Sequence, residues 1–205
     1  MGYPPAVGNE QRRVVAADPS LPDGIQRAVA SLEGGGLVYL APAEYRVDTT
    51  IKLPSDVALV GAGPRLTTVT LVPGSNCHVF TNADHDKGNQ GIELRGFTLE
   101  GNMRSQHKPA DHKPITFACG GYFKRVRDLV VDDVVAHDIR QTAFHFNHCS
   151  NVDIHRMEAD ELGWSGVSTS GTDDIRLRRV IITNSGLDVR HSGVHLDGGR
   201  GADVD

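Results

Sequence analysis

The sequence contains no long hydrophobic run. No apolar stretch in the 205 residues approaches the roughly 20 residues that cross a membrane as a helix. Residues 1–20 also lack the apolar core of a signal peptide. The residues therefore predict no membrane partner and leave the cellular location open.

Cysteine, aromatic residues and net positive charge are also scarce. The three cysteines, Cys77, Cys119 and Cys149, show no CxxC spacing and cannot all pair, so we predict buried thiols rather than a disulfide framework. The formal net charge of −5 gives no broad attraction to nucleic acid, so none is predicted as a partner. The sequence has only one tryptophan, four tyrosines and six phenylalanines, but 23 glycines, a composition that suits a β-rich fold with a narrow aliphatic interior. It also has ten histidines, which is unusually many.

What the sequence does contain is an internal repeat. The pattern apolar-x-apolar-x-x-apolar-x-apolar begins at Ile92, Leu129, Val152 and Ile175, with successive offsets of 37, 23 and 23 residues. Within each copy, the alternation and the two-residue step indicate two short strands joined by a bend. A fixed period of this length is typical of solenoids. We therefore predict an all-β fold, a parallel β-helix with coils of about 23 residues, rather than an ordinary β-sandwich, which would not keep this register.

The predicted organisation is one domain with a short N-terminal helix. Residues 1–21 form an extended segment, and residues 22–205 form the β-helix domain. Within that domain, 22–36 is a capping α-helix with a glycine stop, in which Asp23 is the expected N-cap. Residues 37–205 are the coils, and 101–114 is an inserted loop. Because the sequence stops within a coil, we expect either a truncated piece of a longer protein or end-to-end self-association through the open C-terminal coil.

The segment GGGLVYLAPAEYRVDTTIKLPSDVALVGAGPRLTTVTL carries a family resemblance. With the preceding helix, it resembles the N-terminal region of the pectate-lyase-like superfamily of right-handed parallel β-helix proteins, nearest to pectate-lyase-3-type domains and mannuronan epimerases. The resemblance extends from Asp23 to about Asp205. The resemblance implies a right-handed solenoid, secretion, a uronate-containing polysaccharide as partner, and lyase or epimerase chemistry. It also implies calcium as a cofactor, whereas the residues themselves leave the cofactor unknown.

The strand register predicts a site on the outward face. Phe144, Val167 and Val194 each follow a small residue and are equivalent, so alternation points the residues after them outward. Two outward columns result, the first formed by His145, Ser168 and His195, and the second by Asn147, Ser170 and Asp197. The wider spacing of 27 residues before Val194 accommodates a bulge, which would bring Asp188 and His191 to the same face.

These residue types suit proton transfer. Removing the proton beside a uronate carboxyl group needs a base, a proton donor and a group that stabilises the developing negative charge. The catalytic candidates, as base or donor, are His145, His148, His195 and Asp197. The substrate-binding candidates are Asn147, Ser168, Ser170, His191, Lys108 and Lys113, the two lysines belonging to a basic loop that would attract uronates. No metal ligand set is predicted, although zinc held by His145 and His195 is an alternative.

The sequence departs from the family's catalytic motifs. Where epimerase-like relatives carry Tyr-Gly-Phe-Asp-Pro-His, residues 142–148 read TAFHFNH. The tyrosine and the aspartates are missing, and His148 could stand in for the family histidine. Whether the chain is an enzyme therefore stays open, with lyase or epimerase chemistry favoured over glycoside hydrolysis. The alternative is a non-catalytic carbohydrate-binding or adhesin-like protein, such as part of a phage tail spike.

Overall fold

The computed structural model describes residues 12–107, 118–188 and 190–205, which are almost entirely β-structure. One sheet has ten strands: β1 (Val14–Ala16), β2 (Gly36–Leu40), β3 (Ala43–Val47), β5 (Val57–Gly61), β6 (Thr67–Leu71), β8 (Asn89–Glu100), β10 (Val126–Ile139), β12 (Ser150–Leu162), β14 (Asp173–Ile182) and β16 (Asp203–Val204). The other has six: β4 (Ile51–Leu53), β7 (Phe80–Asn82), β9 (Gly121–Lys124), β11 (Phe144–Asn147), β13 (Val167–Ser170) and β15 (Val194–Asp197). A helix, α1 (Gly24–Ala30), and a 3-10 turn (Met103–Ser105) complete the described structure.

The prediction of a right-handed parallel β-helix is wrong. The described strands form two separate parallel sheets, of ten and six strands, and they do not close into a solenoid. The physical reason is that a sequence period specifies which residues neighbour each other within a sheet. It carries no information on whether two sheets join into one continuous wall.

The repeat does set the register of both sheets. Ile92 of β8 pairs with Leu129 of β10, which pairs with Val152 of β12, and Val152 in turn pairs with Ile175 of β14. From β9 onward the chain alternates between the sheets, so each repeat adds one strand to each. The corners repeat as well, since Asp128, Asn151 and Asp174 all have left-handed backbone angles, with φ of 59°, 52° and 53°. Asp and Asn tolerate this conformation better than most residues, so the corners help to hold the strands in register.

The core beneath the six-stranded sheet is aromatic. Its fully buried rings are Phe80, Phe97, Phe123, Phe144 and Phe146. The ring of Phe146 stacks on those of Phe123 and Phe144, with centroids 6.1 Å and 6.4 Å apart. Because side chains alternate along a strand, these buried rings hold the intervening residues of β9 and β11 on the opposite, exposed face.

Helix α1 packs against β2 and β4 and buries Ile25, Ala28 and Val29. Asp23 occupies the N-cap position, as predicted, but its side chain makes no hydrogen bond to the helix backbone. Instead its carboxylate accepts a hydrogen bond from Nε of Arg27 at 2.7 Å. Both side chains are largely exposed, so this ion pair contributes only a few tenths of a kcal/mol.

Cys119 and Cys149 are buried free thiols, as predicted, whereas Cys77, also free, is only partly buried. Burial raises the pKa of Cys119 to about 12 and that of Cys149 to about 11, which keeps both protonated at neutral pH. Within the described ranges, no helix has the length and apolar character needed to cross a membrane.

Candidate functional site

The exposed face of the six-stranded sheet carries two rows of side chains that run across the strands. The first row reads, from β4 to β15, Lys52, Thr81, Tyr122, His145, Ser168 and His195. The second row reads, from β9 to β15, Lys124, Asn147, Ser170 and Asp197. Since neighbouring strands lie about 4.8 Å apart, the five steps of the first row span about 24 Å.

A cleft of about 270 Å³ opens over the β9-to-β15 part of these rows. Its walls are aromatic rings, hydroxyls and one amide, contributed by Tyr122, His145, Asn147, Trp164, Ser168, Thr169, Ser170, His191 and His195. Concave sites that combine flat apolar surfaces with a few placed polar groups are typical of small-molecule and oligomer binding.

His145 lies at the floor of the cleft. It is 6% exposed, its Nδ1 lies 2.6 Å from Oγ of Ser168, and its ring stacks on Tyr122 with centroids 5.5 Å apart. Burial, and secondly the nearby His195, lower the pKa of His145 to about 4. The imidazole is therefore neutral at neutral pH, which makes it able to accept a proton but not to act as a cation.

His191 and Trp164 form the far wall. Nδ1 of His191 lies 2.6 Å from Oγ of the buried Ser165, and its ring stacks on the indole of Trp164 at 5.7 Å. The ring of His195 meets His191 edge-on at 4.8 Å. Burial and the neighbouring His195 lower the pKa of His191, so this wall is also uncharged at neutral pH.

Tyr122 is surrounded by imidazoles. Its ring stacks between those of His78 and His145, at 4.9 Å and 5.5 Å, and His85 leans against it at 5.7 Å and 59°. Burial raises the pKa of Tyr122, so the phenol keeps its proton and can donate it in a hydrogen bond or a transfer step.

The structure brings most of the predicted site residues together and leaves others apart. Six of the ten candidates line the cleft: His145, His195, His191, Asn147, Ser168 and Ser170. His148 does not, because it occupies the left-handed turn after β11, where its Nδ1 contacts Oδ1 of Asn147 at 2.6 Å. Asp197 lies at the exposed end of the second row, while Lys108 and Lys113 lie outside the described residues.

The bulge before β15 brings His191 to the cleft but not Asp188. Asp188 forms a buried ion pair with Arg140, at 2.9 Å from its Nη2. The expectation that both residues share the face with His195 is therefore wrong for Asp188.

Sequence reasoning missed Tyr122 and Trp164. Tyr122 lies one 23-residue period before His145, after the small residue Gly121, so extending the columns by one strand would have placed it in the row. Trp164 lies in the turn between β12 and β13, outside the periodic positions, and no repeat signal marks it.

The described residues do not fit a metal. No group of three or more His, Cys, Asp and Glu side chains within the described ranges could hold an ion. Calcium takes six to eight oxygen ligands, whereas Asp197 is the lone carboxylate of the two rows. For the zinc alternative at His145 and His195, no such group supplies the further ligands within the described ranges, and protein zinc sites use at least three.

The chain is similar to phage proteins and to a carbohydrate-active enzyme. No family model matches. The pre-neck appendage protein of Bacillus phage phi29 is 25% identical over 198 residues, which is 86% of this chain and 23% of that protein. A phage-related protein of Bacillus subtilis is 30% identical over 69% of the chain and 19% of its own length. A mannuronan C5-epimerase of Azotobacter vinelandii is 36% identical over 38% of the chain and 10% of its length. The chain thus spans about a quarter or less of these relatives.

Solved structures share the fold at lower identity. A glycosyl hydrolase of Parabacteroides merdae superposes with a TM-score of 0.71 at 15% identity, covering 94% of this chain and 96% of that one. An N-terminal fragment of phage phi29 gene product 12 gives 0.69 at 21% identity, covering 85% and 34%. The catalytic domain of an α-1,3-glucanase in complex with nigerose gives 0.71 at 14% identity, covering 97% and 35%. The curated relatives are thus phage proteins and a mannuronan epimerase, and the carbohydrate-active enzymes of known structure share the fold.

Proposed function

We propose that the protein binds a polysaccharide across the exposed face of the six-stranded sheet. This proposal rests on the cleft described above. Tyr122, Trp164 and His191 form its walls, and serine and asparagine side chains lie at its edge. Aromatic rings offer flat apolar surfaces to the C–H faces of sugars, and the hydroxyl and amide groups offer hydrogen-bond partners to sugar hydroxyls. The saccharide-bound glucanase and the mannuronan epimerase among the relatives support the same class of ligand.

The chemistry we propose is lyase or epimerase chemistry on an acidic, uronate-containing polysaccharide. Both reactions begin when a base removes the proton beside the uronate carboxyl group. Neutral His145 supplies the base, and the Tyr122 phenol beside it supplies the proton donor. A bound carboxylate near His145 would raise the pKa of that imidazole, because an opposite charge stabilises its protonated form. The kinship proposed with pectate-lyase-like enzymes rests on the N-terminal motif and on the epimerase match.

A second candidate is a non-catalytic glycan-binding role of the kind a phage appendage would use. It is favoured because the appendage protein of phage phi29 matches 86% of the chain, whereas the epimerase matches 38%. The weak basicity of His145 also favours it, since an effective general base has a pKa close to the working pH.

Absorbance of unsaturated uronate products tests the enzymatic proposal. The protein is mixed with pectate, alginate and glycosaminoglycans in turn, with and without calcium. We expect absorbance to rise with one polymer, and His145→Asn to reduce the rate at least about 100-fold, because general base catalysis contributes about that much. Epimerisation leaves no unsaturated product, so the same polymers are incubated in deuterated water and analysed for deuterium at C5.

The two candidates give different results in these assays. Binding without either product supports the non-catalytic role and refutes the lyase or epimerase. Absence of binding to every polymer of a broad panel, neutral ones included, refutes both.

A further inference from the structure

The β4-to-β9 end of the first row differs in charge from the cleft. Lys52 begins the first row on β4, next to Thr81, and Lys124 begins the second row on β9, two residues after Tyr122 on the same strand. Neither lysine forms an ion pair with any residue of the described ranges. By contrast, the β13 and β15 positions of the two rows are two serines, a histidine and Asp197.

His85 contacts Thr81, which pairs with Lys52, and Tyr122, which shares β9 with Lys124. Its Nε2 lies 2.8 Å from Oγ1 of Thr81, whose hydroxyl donates to the backbone oxygen of Tyr122 at 2.7 Å. A hydroxyl has one hydrogen, so Thr81 must accept at His85, and Nε2 of His85 carries the proton. The neutral ring therefore presents only the lone pair of Nδ1, which accepts a hydrogen bond from a sugar hydroxyl and cannot donate one to a carboxylate. Burial and then the charge of Lys124 lower the pKa of His85, with Lys52 adding to the effect, so the two ammonium groups act on this ring.

The loop that carries His85 is fixed and its acidic groups are partly engaged. Oδ1 of Asp84 accepts the backbone N–H groups of Asp86 and Lys87 at 2.9 Å each, and Arg125 donates to the carbonyls of His85 and Asp86. The charged side chains that act on the ring are Lys52, Lys124, Asp84 and Asp86, and the guanidinium of Arg125 lies against the backbone of the same loop.

We infer that Lys52 and Lys124 form an anion-binding subsite beside Tyr122 and His85, which holds a carboxylate group of an acidic glycan. Two ammonium groups at the edge of an aromatic platform would neutralise such a group while the sugar ring stacks on Tyr122. This inference rests on the proposed function. It extends that function by assigning the charge of the ligand and by placing the charged sugar at the β4-to-β9 end, before the cleft that contains His145.

The test uses one ligand with and without its charge. Trigalacturonate and its fully methyl-esterified form are titrated by calorimetry into the wild type and into Lys52→Gln, Lys124→Gln and Arg178→Gln. Arg178→Gln removes one positive charge from the exposed face of the ten-stranded sheet and is the matched control. We expect each lysine variant to weaken binding of the acid about tenfold and to change binding of the ester less than about twofold. The affinity of each lysine variant for the acid should also depend less on salt concentration than that of the wild type. Arg178→Gln should leave both affinities unchanged.

Equal wild-type affinities for acid and ester would overturn the anion subsite while leaving the glycan-binding face intact. The same holds if the lysine variants weaken acid and ester equally. A sulfated trisaccharide that binds in place of the uronate, with the same lysine dependence, supports the subsite and identifies sulfate as its ligand. Failure of every saccharide to bind refutes the proposed function itself. Thermal unfolding of each variant shows that the fold is retained.

Discussion

Replacing Tyr122 with alanine should weaken oligosaccharide binding about 30-fold. The ring of Tyr122 forms the wall between the anion subsite and the cleft, and it is held in place by the stacked imidazoles of His78 and His145. Truncating a central aromatic side chain of a binding surface costs about 2 kcal/mol, which corresponds to about 30-fold in Kd. Calorimetric titration of the wild type and the variant with the same oligosaccharide measures the change.

Two further substitutions show whether the effect belongs to this face. Tyr39→Ala makes the same truncation on β2 of the ten-stranded sheet, where the tyrosine is 37% exposed, and should leave binding unchanged. Tyr122→Phe keeps the ring, so it should retain affinity while slowing any elimination that needs the phenol proton. Equal weakening by Tyr39→Ala and Tyr122→Ala would contradict the placement of the glycan.

The second large effect concerns stability in mild acid. Unfolded His145 takes up a proton near its ordinary pKa of 6.5, whereas in the folded protein burial lowers that pKa to about 4. The unfolded state therefore binds more protons between these values. The contribution of His145 to stability is complete above pH 6.5 and is lost as the pH falls towards 4. Between pH 7 and pH 5 this loss amounts to about 2 kcal/mol.

Denaturant unfolding of wild type and His145→Gln at both pH values measures this contribution. The decrease in the free energy of unfolding from pH 7 to pH 5 should be about 2 kcal/mol smaller in the variant, whatever its stability at pH 7. His148→Gln replaces an exposed histidine three residues further along the chain and should keep the wild-type pH dependence. An identical decrease in wild type and His145→Gln would show that His145 is accessible to protons in the folded state.

The register of the site could be predicted from the sequence. His145, Ser168 and His195 follow each other across three strands because the repeat period and the alternation of buried and exposed side chains are both local properties of the chain. The same argument applied one period earlier would have added Tyr122. The spacing of the periodic residues therefore predicts which residues are neighbours within a sheet.

Other features could not be predicted in this way. Whether the two sheets close into a solenoid depends on the corner geometry in three dimensions, which the period does not specify. The positions of Trp164 and Asp188 are set by non-repeating turns. The indole of Trp164 stacks there on His191, and the carboxylate of Asp188 pairs with Arg140. His85 belongs to a loop whose position depends on the hydrogen bonds of Thr81 and Arg125 to groups distant in sequence.

The most direct measurement of the central claim is the nuclear magnetic resonance spectrum of the aromatic side chains during titration with a uronate oligosaccharide. If the exposed face of the six-stranded sheet binds the glycan, the ring signals of His85, His145 and His191 and the indole signal of Trp164 shift together along one saturable curve. The signals of His137 and His155, on the ten-stranded sheet, stay in place. Shifts confined to His137 and His155, or no shifts at ligand concentrations that saturate binding, would contradict the account.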